Sequence, residues 1–247
     1  MSISSIDKPK VYEEGHTHLD YVRMETGQAL IVFEAPQDIV LTMNKLYEKY
    51  VSEGMLYNMS NRLLGKIEDE YSLYQSSSFY KNDDTEKVDN HNFLPENVHQ
   101  WIKDRIHDYL HILRIDYQGI KTNSSWINDM KVGEYSPVHN HNGGTGTSKS
   151  PLENMVHKIG LIGLMGLKIP DDMGDEITRE NNPRNGFTEF FGGGHGKMFA
   201  NFSTLIRLHE GAFVVHPYDV IHTVYPHFNK NETRRTFTTN IDVYPIG

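Results

Sequence analysis

The fold is decided by a C-terminal stretch that reads Gly211-Ala-Phe-Val-Val-His-Pro-Tyr-Asp-Val-Ile-His-Thr-Val-Tyr-Pro226 and then, past a polar hairpin, Arg234-Arg-Thr-Phe-Thr-Thr-Asn-Ile-Asp-Val243. β-branched and aromatic residues fill both parts and Pro217 interrupts the first, so the stretch predicts strand, tight turn, strand, hairpin and strand. Similar short segments, broken by Gly, Pro and Asn, precede it at 120–132, 156–169, 186–191 and 197–208. Such a run of strands predicts an antiparallel sandwich or barrel.

Two helices are predicted in the N-terminal half of the chain. Pro36 begins a pattern of apolar residues at three- and four-residue spacing, and a second such pattern follows Leu94-Pro95. Residues 22–33 predict one or two strands ahead of the first helix. Residues 1–20 are polar and predict a loose arm, and the polar residues 65–92 predict a long surface excursion.

No linker divides the chain into independent units. We therefore predict a single domain over residues 1–247, in which residues 1–119 supply the arm, strands and supporting helices. Residues 120–245 form the predicted β core.

Composition limits the chemistry that the chain can perform. Its 247 residues include no cysteine, 14 histidines, and 24 basic against 33 acidic side chains, for a formal net charge of −9. Without cysteine, disulfides, thiolate metal sites and a thiol nucleophile are excluded, and a bound metal needs His, Asp or Glu. The acidic balance makes nucleic acid a poor partner. The longest apolar run, 29–33, is too short for a bilayer and no apolar leader precedes it, so we expect a cytoplasmic protein without membrane contact.

The sharpest local motif is Tyr135-Ser-Pro-Val-His139-Asn-His141-Asn-Gly-Gly144. Residues two apart on a strand point to the same side, so His139 and His141 can both present an imidazole to one ion. A strand that contains Trp126 precedes the motif and a glycine-rich turn follows it. This context favours a metal site over a pair of structural histidines.

Other histidines give weaker signals. His16-Thr-His18 lies in the polar arm and is expected at the surface. His107 and His111 have the spacing of a metal clip on the second helix, but the helical wheel puts both opposite the apolar face, so we expect them in solvent. Two more histidines are expected in loops: His157 and His195.

The strand after the hairpin has one polar face, which consists of Arg234, Thr236, Thr238 and Asn240. A guanidinium binds a carboxylate through two parallel hydrogen bonds. Arg234 beside hydroxyl groups on a buried strand face therefore predicts a carboxylate ligand. An edge strand with a solvated arginine pair is the alternative.

Together these segments resemble the iron(II)- and 2-oxoglutarate-dependent oxygenases, and they are most similar to an oxygenase group common in phage and marine microbial genomes. The resemblance covers roughly residues 120–245 and rests on an ordered set of motifs. They are Trp126-Ile-Asn128, Val138-His-Asn-His141, Gly211-Ala-Phe-Val-Val-His-Pro217, His222-Thr-Val-Tyr-Pro226 and Arg234-Arg-Thr-Phe-Thr-Thr-Asn240. The resemblance implies a mainly β fold with supporting α-helices, a double-stranded β-helix (jelly roll) backed by N-terminal helices.

The resemblance also implies the residues of an active site. His139 and His222, together with His141, would bind Fe(II). Three facial protein ligands leave three octahedral positions, two for the co-substrate 2-oxoglutarate and one for dioxygen. Arg234 would bind the distal carboxylate of 2-oxoglutarate. The other residues implied at the co-substrate are Thr236, Asn128, Asn240 and, as the alternative cation, Arg235.

The implied reaction is hydroxylation of a C–H bond with release of succinate and CO2. A peptide or protein side chain such as proline is the favoured substrate, and the host cytoplasm is the expected compartment if the chain is phage-encoded. Selectivity is expected from the segments 65–92, 142–158 and 171–180, because binding determinants lie on loops around a rigid scaffold.

The chain departs from the family pattern at several positions. Ala212 stands where an acid is common, His216 where Phe is common, and residues 142–158 separate the His-Asn-His motif from the next strand. The wider superfamily has a carboxylate at the position of His141. Two arrangements stay open: iron takes three imidazoles, or His141 stands behind the ligands while water or an acid such as Asp219 completes the sphere.

Two other functions use the same scaffold. One is a cupin-like multi-histidine metal enzyme that needs no keto acid, and therefore no Arg234. The other is a non-catalytic β-sandwich, a virion or carbohydrate-binding module, with the 14 Tyr and 11 Phe as contact residues.

Overall fold

A computed structural model describes residues 21–25, 28–61, 63–75, 91–141, 159–192 and 202–246. Its N-terminal elements are β1 (Tyr21–Glu25), β2 (Ala29–Glu34), α1 (Gln37–Ser52), β3 (Tyr57–Asn58), β4 (Glu70–Gln75), β5 (His91–Asn92) and α2 (Glu96–Ile112). They are followed by β6 (Tyr117–Met130), β7 (Ser136–His139), β8 (Gly160–Lys168), β9 (Thr188–Phe191), β10 (Ser203–Ile206), β11 (Ala212–Pro217), β12 (Ile221–Val224) and β13 (Arg234–Pro245).

The strands from β6 onward form two antiparallel sheets. The first contains the order β11-β8-β13-β6 and continues into β4 and β3 on one side and β2 and β1 on the other. The second has the order β10-β9-β12-β7. Because β6, β8, β11 and β13 lie in the first sheet and β7, β9, β10 and β12 in the second, the chain winds back and forth between them. This winding is a double-stranded β-helix, so the predicted jelly-roll fold class is confirmed.

The larger sheet is covered on both faces, as β8 shows. Its sequence is an apolar run with glycines, which is typical of a strand without a solvent face, and only its last residue escapes full burial. Met165, on one side, packs with the helices, whereas Leu164 packs with Phe190 of the second sheet. The functional site described below lies on the inner face, between the sheets.

The helices α1 and α2 cover the outer face of the larger sheet. Each begins directly after a proline, Pro36 or Pro95, whose fixed φ suits a helix start. Their buried apolar residues recur at three- and four-residue spacing and join one core cluster with the sheet. The predictions of both helices, and of one or two strands over 22–33, are confirmed, and the structure has two strands there.

Two predictions about the supporting half are wrong. The surface excursion at 65–92 contains β4, which pairs with β6 and buries Leu73 completely. Its polar residues Glu70 and Ser72 are buried too, so a polar sequence here marks a covered strand, not an exposed loop.

The second error concerns the helix histidines. His111 is exposed as predicted, but His107 is buried, and its Nδ1 lies 2.5 Å from the hydroxyl of Tyr117. The last turns of α2 pack against the start of β6. β6 therefore covers helix residues that lie outside the apolar face of α2.

Some predictions fall outside the described residues. These are the arm at 1–20 with its two histidines, the remainder of the excursion at 76–90, the segment 142–158 with His157, and the loop that holds His195. Neither described helix has the length and hydropathy that a membrane crossing requires.

Candidate functional site

Three imidazoles meet at one end of the space between the sheets. His139 ends β7 and is the register partner of His222 on β12, while His141 follows β7 by two residues. Ring centroids lie 4.3 Å apart for His139 and His222, 5.2 Å for His139 and His141, and 5.3 Å for His141 and His222. The ligand atoms of the three all lie within 4.8 Å of one another, so the set fits a metal ion.

Each ring is held with the same nitrogen turned inward. The Nδ1–H of His139 donates to the carbonyl of Pro137 at 2.7 Å, and that of His222 donates to the carbonyl of Val220 at 3.0 Å. A carbonyl oxygen only accepts, so Nδ1 carries the proton in both rings. The unprotonated Nε2 is then the nitrogen that can bind an ion.

A side chain holds His141 in the same way. Its Nδ1–H donates to Oδ1 of Asn240 at 3.0 Å, and the amide of Asn240 in turn donates to Oγ of Ser124 at 3.2 Å. Trp126 stacks on the ring with centroids 6.1 Å apart. The predicted residue Asn240 therefore lies behind His141, where it orients that ring.

All three rings are neutral at pH 7. Burial lowers the pKa of His141 to about 3, with additional repulsion from His139. Burial also holds the pKa of His222 well below its usual range and lowers that of His139. Neutral imidazoles are the form that binds transition metals, and no proton has to leave when the ion arrives.

The acid considered as an alternative ligand does not join this cluster. Asp219 is exposed in the turn between β11 and β12, and its Oδ2 accepts a hydrogen bond from Nε2 of Gln28 at 2.7 Å. The described residues that cluster for a metal are thus all histidines.

Arg234 is a buried cation at the start of β13. Only 1 % of it is exposed, and its nearest polar contacts are long: 3.4 Å from Nη2 to Oγ1 of Thr188 and 3.6 Å from Nη1 to Sδ of Met130. Its Nε has no partner, and no acidic residue in the described ranges forms an ion pair with it. Burial lowers its pKa to about 10, so the side chain stays charged at pH 7.

The neighbouring Arg235 points to the opposite face of β13. Its guanidinium donates to Oδ2 of Asp129 at 3.0 Å and to Oε1 of Glu48 at 3.3 Å, and it lies 4.1 Å from the ring centroid of Tyr47. Arg235 therefore joins the sheet to α1 and is away from the histidines, because successive strand residues face opposite sides.

The cation and the histidine cluster line the same interior. Thr188, which contacts Arg234, pairs with Val224, two residues beyond His222 on β12. Two strand residues span about 7 Å. Between the two ends lie Asn128, whose buried Oδ1 has no partner among the described residues, and its register partner Thr236. This interior thus has a metal-binding end, a cationic end, and polar side chains between the two.

His216 is a fourth buried histidine that the sequence reasoning did not place in the site. It is 0 % exposed, and its ring lies 5.0 Å from that of His222. His216 alternates with Val214 along the strand, and this spacing could have indicated that its side chain faces the interior. Because the turn at Pro217 interrupts the strand, the sequence did not show that His216 and His222 are neighbours.

No protein-family model and no curated protein matches the chain. Solved structures share its fold at low sequence identity. A prolyl-4-hydroxylase from Pseudomonas putida superposes with a TM-score of 0.51 and 11% identity, covering 93% of this chain and 95% of that one.

Two further solved structures have the same architecture. The non-heme alpha-ketoglutarate-dependent carbocyclase SnoK from nogalamycin biosynthesis gives a TM-score of 0.52 at 11% identity, over 90% of this chain and 83% of its own. HygX from Streptomyces hygroscopicus, determined with nickel, 2-oxoglutarate and hygromycin B bound, gives 0.51 at 8% identity, over 89% and 84%. At these identities the similarity establishes the fold.

Proposed function

We propose that the chain is an Fe(II)- and 2-oxoglutarate-dependent dioxygenase that hydroxylates a C–H bond of its substrate. The observation that carries the proposal is Arg234, a buried cation without an anionic partner in the described residues, in the same interior as three converging imidazoles. A buried charge that lacks a partner costs several kcal/mol, so such a residue is expected to have a ligand as its counter-ion.

The residues fit the metal and the co-substrate. His139, His141 and His222 would hold Fe(II), and Arg234, beside the hydroxyls of Thr188 and Thr236, would bind the distal carboxylate of 2-oxoglutarate. When bound, the iron supplies the oxidation chemistry: 2-oxoglutarate and O2 become succinate and CO2 while one oxygen atom enters the C–H bond.

The charges of the metal ion and of Arg234 favour this co-substrate. A ligand set of three neutral imidazoles leaves the double positive charge of the ion uncompensated, and Arg234 adds another positive charge at the other end. A dianionic keto acid matches both ends. Asn240 keeps His141 in position. The side chains of Asn128 and Thr236 offer hydrogen bonds to bound 2-oxoglutarate.

The finer parts of the proposal concern substrate and lineage. A peptide or protein side chain such as proline is the favoured substrate, supported by the fold shared with a prolyl-4-hydroxylase. The motif order supports the oxygenase group common in phage and marine microbial genomes. The proposed compartment is the cytoplasm, that of the host cell if the chain is phage-encoded.

An anaerobic titration tests the proposal. Protein loaded with Fe(II) should change its visible absorption when 2-oxoglutarate is added, and admission of O2 should yield succinate, with candidate peptides included to support turnover. His222→Ala should abolish metal binding. Arg234→Gln should retain the metal and raise the 2-oxoglutarate concentration for half-saturation by at least about 30-fold, the equivalent of about 2 kcal/mol for a lost buried charge pair.

A matched control is His209→Ala, which removes a surface histidine bonded to Glu34. It should leave both measurements unchanged. If 2-oxoglutarate neither perturbs the Fe(II) spectrum nor is turned over, the proposal fails. Metal binding without that response would then favour the cupin-like enzyme, and a protein that binds no metal would favour the non-catalytic module.

A further inference from the structure

His216 carries a buried nitrogen whose partner is missing. Its Nδ1–H donates to the carbonyl of Pro217 at 2.9 Å, so Nε2 holds a lone pair. That Nε2 is out of contact with solvent and has no hydrogen-bond partner in the part of the chain that the structure describes. A buried acceptor without a donor costs about 1–3 kcal/mol, and native proteins rarely keep one without a reason.

The surroundings of His216 narrow the choice of partner. Its register partner on β8 is Ile162, and the ring of Phe190 lies 5.1 Å away. Phe190 belongs to an interior hydrophobic cluster that also includes Leu164 and Val214. Two members of the histidine cluster bring polar atoms to this place: His222, whose ring adjoins that of His216, and His139, which is near enough to act on His216 electrostatically.

The spacing of the rings connects His216 with that cluster. Its centroid lies 5.0 Å from that of His222, closer than the 5.3 Å between His141 and His222 inside the cluster. His139, His141 and His222 have ligand atoms within 4.8 Å of one another before any ion is bound. His216 is not a member of this set, although its ring adjoins that of His222.

We propose that His216 donates its Nε2 to the metal as a fourth nitrogen ligand in the protein that is free of keto acid. The inference rests on the proposed metal centre. An ion held by the three-histidine cluster satisfies the lone pair that the apolar surroundings leave without a partner. Four nitrogens fill four octahedral positions, so His216 has to give up its position before keto acid and dioxygen are both bound.

The nitrogen count can be measured with Cu(II) as the probe ion. In the absence of 2-oxoglutarate, electron paramagnetic resonance should show hyperfine coupling to four nitrogens in the native chain and to three in His216→Phe. Competition with a chromophoric chelator should show Zn(II) affinity at least about tenfold weaker in the variant, since even residues behind the ligands contribute that much. His209→Phe, a surface change, should leave both results at the native values.

Stability measurements separate ligation from a packing role. Without metal, His216→Phe should be about as stable as the native chain, because the loss of the hydrogen bond to Pro217 offsets the removal of an unsatisfied acceptor while an aromatic ring is kept. With Zn(II), the native chain should gain more stability than the variant. If the phenylalanine variant does not fold, His216→Gln provides the same three-nitrogen comparison.

The proposal is overturned if the native chain shows three nitrogens and the variant binds Zn(II) equally well. Addition of 2-oxoglutarate then distinguishes it from the proposed function. A fall from four coordinated nitrogens to three supports both ligation by His216 and the proposed oxygenase. A count that stays at four, without any effect of 2-oxoglutarate, supports ligation by His216 and refutes the oxygenase.

Discussion

Replacing Arg234 with methionine should make the ligand-free protein more stable. Methionine keeps most of the buried hydrocarbon volume and removes a charge that has no counter-ion in the described residues. Proteins often tolerate, or gain from, an apolar residue in place of a buried charge. The expected gain comes at the expense of function, because the charge is proposed to bind the co-substrate.

The size of the effect follows from the pKa. Burial lowers the pKa of Arg234 from 12.5 to about 10, and this difference corresponds to about 3 kcal/mol of unfavourable free energy for the charged side chain. Its contacts with Thr188 and Met130 are too long to offset much of this. We expect a net gain of about 2–3 kcal/mol in the free energy of unfolding.

The adjacent arginine is the matched control. Arg235→Met removes one partner of the buried ion pair with Asp129 and should cost about 3–5 kcal/mol. Urea denaturation at pH 7, with a chelator present, measures both variants under identical conditions. The two substitutions are the same chemical change at consecutive residues, yet they should move the denaturation midpoint in opposite directions.

A destabilised Arg234→Met would refute the reasoning, because it would show that the guanidinium serves the fold. A stabilised variant that still responds to 2-oxoglutarate as the native chain does would remove Arg234 from the proposed binding site. In metal-loaded native chain, the melting temperature should rise with increasing 2-oxoglutarate concentration. The melting temperature of Arg234→Met should rise on addition of metal but not of 2-oxoglutarate.

Three further predictions test the histidine cluster and the sheet. Folding lowers the pKa of His141 to about 3 and of His216 to about 4, so the unfolded chain binds more protons than the folded chain below pH 6.5. The stability is therefore fully present above that pH and is lost as the pH falls, by about 2 kcal/mol per ring at pH 5. Urea denaturation of chelator-treated protein at pH 7 and pH 5 measures this loss. Asn240→Ala should weaken metal affinity by about 10–100-fold in chelator competition, and an unchanged affinity would contradict its role behind His141. Gly166→Ala would put a Cβ 2.2 Å from the carbonyl oxygen of His209 and should cost about 1–3 kcal/mol in urea denaturation; a neutral result would argue against this packing of β8.

The site shows where pattern reasoning succeeds. The two-residue spacing of His139 and His141, and the parity that puts Arg234 with Thr236, are local properties of a strand, and the structure brings the three predicted histidines together. Parity alone left Arg235 as an alternative cation, because a sequence does not say which face of a strand is interior. The position of α1 shows the two faces: Arg235 meets Glu48 of that helix and Arg234 faces the second sheet, while the role of Arg234 at the co-substrate stays a proposal.

The errors arise from burial, which depends on packing between distant segments. Glu70 and His107 are polar residues. Glu70 is covered by elements far from it in sequence, and His107 is covered by the start of β6, which a helical wheel of α2 does not include. The pKa of Glu70 rises to about 8 through burial, with a contribution from Glu134. The hydropathy pattern does not show these contacts, because they form only when β6 packs against β4 and α2.

By itself, the sequence determined the strand-rich second half, the two helices, the cysteine-free ligand chemistry and the motif residues, because these depend on composition and on the two-residue and 3.6-residue periods of the backbone. Only the tertiary structure decided that His216 adjoins His222, that Asn240 orients His141, and that Arg234 is buried without a counter-ion among the described residues. These three facts arise where β11, β12 and β13 meet strands from elsewhere in the chain, and contacts across two sheets are fixed by packing, not by local periodicity.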